Sequence, residues 1–118
     1  MRYEAIPVFE EGDVEKFLGQ DDLDKLRLVA LSLALNSGNP EQAEGICLRL
    51  ANHKDSNVRG NAILGLGHIA RIHGTLMEDS ARPLVEAALK DTDEWVRGQA
   101  EAAADDIEHF LKWKLKRL

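Results

Sequence analysis

One eight-residue pattern occurs twice in this chain and constrains its architecture more than any other feature. Asp55-Ser56-Asn57-Val58-Arg59-Gly60-Asn61-Ala62 aligns with Asp93-Glu94-Trp95-Val96-Arg97-Gly98-Gln99-Ala100. Asp, Val, Arg, Gly and Ala coincide in type, and Asn61 is matched by another amide, Gln99. Val58 and Val96 set a period of 38 residues (96 − 58). Repetition on that scale marks stacked supersecondary units, each leaving an apolar face that only its neighbour can cover. A weaker third copy is Leu26-Arg27 followed by Ala30, with its acid one place out of register at Asp22.

The segments around these copies read as helices. Leu23, Leu26, Val29, Ala30, Leu33 and Ala34 follow i, i+3, i+4 spacing, as do Val58, Ala62, Leu66, Ile69 and Ala70. Ile46, Leu50 and Ala51 make a shorter stripe; Leu84, Val85, Ala88 and Leu89 make another. Val96, Ala100, Ala103, Ala104, Ile107 and Leu111 make the last. No segment alternates with a period of two, so the chain is read as all-α. Acids and turn residues set the expected bounds. Asp13 caps a helix over 13–18, and Asp21 or Asp22 caps 22–36. Pro40 opens 40–52, because its missing N–H would have had no partner in a first turn. Asp55 caps 55–73, Ser80 caps 80–90 with Pro83 in its first turn, and Asp93 caps 93–115. Residues 1–12 are expected to form an extended or capping arm.

The 118 residues are the length of one domain, 1–118, with 13–36 a degenerate first unit, 40–73 a second and 80–115 a third. Fifteen Lys and Arg against 21 Asp and Glu give a net charge of −6, which argues against a dedicated nucleic-acid binder. The basic tail Lys112, Lys114, Lys116 and Arg117 is expected to complement the last helix C-terminus, and residues before it are more acidic still. No apolar run spans a bilayer, Met1-Arg2-Tyr3-Glu4 does not read as a secretion signal, and the expected compartment is the cytoplasm.

The residues Pro83-Leu84, Leu89, Asp91, Asp93, Val96-Arg97 and Ala100 resemble HEAT-type repeats, including the variant of phycobilisome-lyase-like proteins. The likeness covers 40–115 well and 13–36 weakly. The first unit departs from it: Gly45, Ala51 and His53 stand where Pro, Leu and Asp are expected. The resemblance implies a right-handed αα superhelix of about two and a half helix pairs. It also implies structural roles for Asp55, Val58, Arg59, Asp93, Val96 and Arg97. The aspartates cap the inner helices, and the arginines bridge units through Asp55, Asp91 and Asp93. The second helix of each pair lines a concave face, so Asn57, Asn61, Leu64, His68 and Ile72 are expected to face out from one such helix. Trp95, Gln99, Ala102, Asp106 and Trp113 are expected to face out from the next, and Val29, Ser32 and Asn36 from the one before.

No catalytic set is found. His68 and His73 diverge by about 140° around a helix. Asp105 and His109 read as a solvated face, Cys47 as a core thiol, and Gly65-Leu66-Gly67 as a close helix contact rather than a phosphate loop. No paired His-Glu dipeptide of the kind HEAT-like hydroxylases use for iron is present. The chain is therefore read as a non-enzyme without metal or cofactor. The expected function is protein binding through Asn57, Asn61, Leu64, His68, Trp95, Gln99, Asp106, Phe110 and Trp113. The acidic edge Glu10, Glu11, Asp21 and Asp24 adds to it. Small acidic HEAT-like chains resemble bacterial immunity proteins of toxin systems such as contact-dependent inhibition. The implied partner is then a basic, nuclease-type toxin domain, with no nucleic acid or membrane bound, and the chain is a monomer alone or a heterodimer with it. The alternatives are a lyase-like accessory protein and a self-associating scaffold subunit.

Overall fold

The computed structural model describes residues 11–20 and 22–117, with side chains from residue 15 onward. Among them are six helices and no strand: α1 (Glu11–Gln20), α2 (Leu23–Asn36), α3 (Pro40–Leu50), α4 (Ser56–His73), α5 (Glu78–Ala88) and α6 (Glu94–Leu111). The helices α2, α4 and α6 pack side by side as one layer. The helices α3 and α5 cover that layer from the other side, and α1 leans on α2. The centre is α4, which touches α2, α3, α5 and α6.

The two copies of the sequence pattern open α4 and α6 in the same conformation. Asp55 (φ −77°, ψ 126°) accepts a hydrogen bond from the Val58 N–H at 3.0 Å. Asp93 (φ −89°, ψ 124°) accepts one from the Val96 N–H at 3.1 Å. Both carboxylates thus satisfy amides that the first helical turn leaves without partners. Val58 and Val96 are fully buried. The preceding turn is also shared, although its residue differs. The Asp91 carboxylate accepts from the Asp93 N–H at 2.9 Å, and the His53 Nδ1 accepts from the Asp55 N–H at 3.0 Å. An imidazole lone pair here does the work of a carboxylate oxygen.

Glycine lets the inner layer close up. A Cβ at Gly67 would meet the Ala103 Cα at 2.8 Å, and one at Gly65 would meet the Cys47 sulfur at 2.8 Å. The Gly65-Leu66-Gly67 stretch is therefore a two-sided contact, with α2 and α3 on one side and α6 on the other. Cys47 is fully buried and its thiol lies 3.8 Å from the Ala30 carbonyl oxygen.

Several boundaries differ from the sequence expectation. Asp13 lies inside α1, which begins at Glu11, so 11–12 are helical and Asp13 is not the cap. The rest of the expected arm, residues 1–10, lies outside the described residues. Helix α3 stops at Leu50 rather than 52. Helix α5 begins at Glu78, not after a Ser80 cap, and Pro83 falls inside it. Its first turn is set from a distance: the buried Glu44 carboxylate of α3 accepts the Met77 N–H at 2.7 Å. Helix α6 stops at Leu111, where Lys112 takes a left-handed conformation (φ 63°). Trp113 and Leu115 then fold back onto the core instead of continuing the helix. Val29 and Ser32 face inward, at 0% and 1% exposure, rather than lining an open face. The helix α2 carries leucine, valine or alanine around most of its circumference, so periodicity alone did not fix which arc meets α4.

Candidate functional site

The outward surface of the α4 and α6 pair collects most of the residues singled out from sequence. Trp95 stands in the first turn of α6 and is 43% exposed. Its ring lies over Gly60 of α4, where a Cβ would come within 2.4 Å of the Trp95 Cζ3. Only glycine at 60 leaves room for the indole to lie down between the two helices. Asn57 is exposed beside it, and Gln99 is half-buried one turn along. Gly98 leaves its backbone exposed and Ala102 an exposed methyl, and further along α6 Asp106 is half-buried while Asp105 is exposed and paired with Arg117 at 2.9 Å.

On α4, Leu64 and His68 are half-buried. The His68 Nδ1 lies 3.1 Å from the Arg71 guanidinium. Burial, then the Arg71 charge, hold the imidazole below its ordinary value, with Asp106 opposing them. His68 is therefore a neutral acceptor at pH 7. At the far end of α6, Phe110 is 43% exposed and meets the His109 ring edge-on, with centroids 4.6 Å apart.

Other residues are placed elsewhere. The Asn61 amide donates to the Arg27 carbonyl at 2.6 Å and so ties α4 to α2. Trp113 is not part of the α6 surface; it is half-buried against the core, with the Arg82 guanidinium 5.4 Å from its ring centroid. Asp24 is exposed and pairs with Arg27 at 3.6 Å. Glu10 and Asp21 lie outside the described residues, as does the side chain of Glu11.

The arginines form the link between units. Arg59 donates from Nε and Nη2 to the two Asp91 oxygens at 2.9 and 2.8 Å, and from Nη1 to the His53 and Lys54 carbonyls. This pairing, then the Asp93 N–H, holds the Asp91 carboxyl below its ordinary value. Arg97 donates to the Asp91 carbonyl at 2.7 Å, so it braces its own unit rather than a neighbour's carboxylate. The degraded third copy supplies Arg27, which reaches the Asp55 carboxylate at 3.2 Å. Its signal was the Leu26-Arg27 pair. Because His53 stands where Asp91 has its counterpart, the clamp moves to the capping aspartate.

Among the described residues no cluster of His, Cys, Asp and Glu is arranged to hold a metal ion. No described helix is long and apolar enough to cross a membrane.

Three stacked helix pairs, tied by arginine clamps from one inner helix to the turn before the next, define a helical-repeat protein. The chain belongs to the HEAT-repeat family, whose model matches residues 14–105. No curated protein matches it. Among solved structures it is similar to a chain in the crystal structure of a CDI complex from Cupriavidus taiwanensis LMG 19424. The two share 23% sequence identity, and the match covers 93% of this chain and 97% of that one, with a TM-score of 0.77.

Proposed function

We propose that this chain is a non-catalytic binding module that neutralises a toxin domain, as an immunity protein of the contact-dependent-inhibition kind. The observation that carries the reading is the half-exposed Trp95 indole seated over Gly60, with the amides Asn57 and Gln99 close to Gly60 and Trp95 in sequence and the half-buried Asp106 about three turns further along α6. Flat aromatics ringed by polar groups are the usual energetic centres of protein interfaces. The net charge of −6 favours a basic partner, such as a nuclease-type domain whose substrate surface attracts phosphate. The structural likeness to a chain of a CDI complex supports the same reading.

The test is to mix the purified chain with basic, nuclease-type toxin domains of contact-dependent-inhibition systems and follow association by stopped flow. The association rate should fall about tenfold or more between about 0.05 and 0.5 M salt. Trp95→Ala should weaken the complex by about 2 kcal/mol or more. A salt-insensitive rate together with an unchanged affinity of Trp95→Ala would sink the proposal.

A further inference from the structure

Helices α5 and α6 share an acidic edge. Glu101, Asp105 and Glu108 lie at i, i+4 and i+7 on α6, which places them on one helix face, and Glu86 of α5 stands alongside. The segment 112–117 runs across this edge without regular secondary structure. Arg117 gathers all three α6 carboxylates, reaching Glu101 at 2.6 Å and Asp105 at 2.9 Å as well as Glu108. The Leu115 and Lys116 N–H groups donate to Glu108 at 2.9 Å and Glu86 at 2.8 Å. Leu115 is buried, Trp113 sits under Arg82, and Lys114 and Lys116 point to solvent.

This is the way a protein surface holds a peptide. Two side chains fill apolar contacts, two backbone amides meet carboxylates, and one guanidinium joins acids that would otherwise repel one another. Lys112 caps α6 through its N–H to the Glu108 carbonyl, whereas the contacts of residues 113–117 with the edge are those a separate peptide could make. We propose that the α5–α6 edge is a recognition surface for a basic, extended segment of a partner protein, and that residues 112–117 are its internal occupant, displaced when the partner binds. The proposal deepens the binding role above, since it assigns a second contact to the same basic partner. In the closed state the internal segment lowers the apparent affinity by the fraction of molecules in which the edge is open.

The experiment needs no toxin, so its failure is separable from failure of the immunity reading. The probe is a fluorophore-labelled, amidated peptide with the sequence of residues 112–117, followed by anisotropy. The hosts are full-length wild type, Arg117→Ala, and Lys90→Ala as a control with the same net charge. Arg117→Ala should bind the probe about tenfold more tightly than wild type or Lys90→Ala, because the internal competitor is weakened. A probe with its arginine replaced by alanine should not bind. Equal binding to Arg117→Ala and Lys90→Ala, or none to a natively folded Arg117→Ala, would overturn the proposal. Should Arg117→Ala fail to fold, wild type alone decides by hydrogen exchange. Excess probe should speed exchange at the Leu115 and Lys116 amides while α4 stays protected, and unchanged exchange there would overturn the proposal equally.

Discussion

Arg59 and Asp91 meet side-on, with Nε and Nη2 of the guanidinium each donating to a different oxygen of one carboxylate, at 2.9 and 2.8 Å. The pair spans the gap between the second and third helix pairs. Its two side chains are only 20% and 15% exposed, so solvent screens it little. Arg59→Lys keeps the charge but loses the fork, and should cost about 1–2 kcal/mol in chemical denaturation. Asp91 is held below its ordinary value of 3.8, so its contribution is complete above that pH and is lost as pH falls through the lower folded value. Asp91→Asn should therefore be less stable at pH 7 and should show a flatter loss of stability below about pH 4.

The glycines divide into those that need to be glycine and those that do not. Gly67→Ala drives a methyl into the Ala103 backbone of α6, with a first contact of 2.8 Å. It should cost about 1–3 kcal/mol, lowering Tm by roughly 4–8 °C per kcal/mol. Gly45→Ala, inside α3 with nothing within 4 Å, should instead stabilise by about 0.5–1 kcal/mol. Thermal melts of the two variants should shift in opposite directions.

Glu44 is a buried carboxylate whose bond to the Met77 N–H fixes the start of α5. Burial pushes its pKa above the ordinary 4.5, the Met77 bond opposes this, and Glu41 adds to it. Between 4.5 and the raised value the folded chain holds the proton more tightly than the unfolded one. Stability due to this group therefore falls as pH rises through that window and is level above it. Glu44→Gln keeps an acceptor for Met77 and should abolish that slope without loss at pH 7. Glu44→Ala leaves the amide unpartnered and should cost about 1–3 kcal/mol, read from urea melts across pH.

Cys47 should be inert in the folded chain. Burial, and secondarily the Glu44 charge, push its thiol up to about 12. Because the thiolate is the reactive form, labelling by a disulfide reagent should proceed no faster than opening of the α2–α3–α4 packing. Rapid labelling of native protein at pH 8 would contradict the packing of Cys47 against Gly65.

What the sequence determined by itself was local or periodic. The Asp55 and Asp93 caps act three residues away, so their bonds could be read from spacing alone. The Gly74 stop of α4, left-handed at φ 67°, is equally local. The repeat placed α4 and α6 as equivalent neighbours, and the bare flank of Gly65 and Gly67 announced close contact. The tertiary structure decided what depends on partners far along the chain. Helix α5 starts where it does because Glu44 reaches Met77 from 33 residues away, while the sequence offered Ser80 as a nearer cap. The apolar circumference of α2 left its rotation open until α4 was in place, which is why Val29 and Ser32 turned inward. The residues after Leu111 left the helix because two apolar side chains and one arginine found better partners across α5 and α6 than solvent offered along the α6 axis. Short-range hydrogen bonds have few competitors and are legible in order. Long-range ones compete with every other surface that the folded chain brings near.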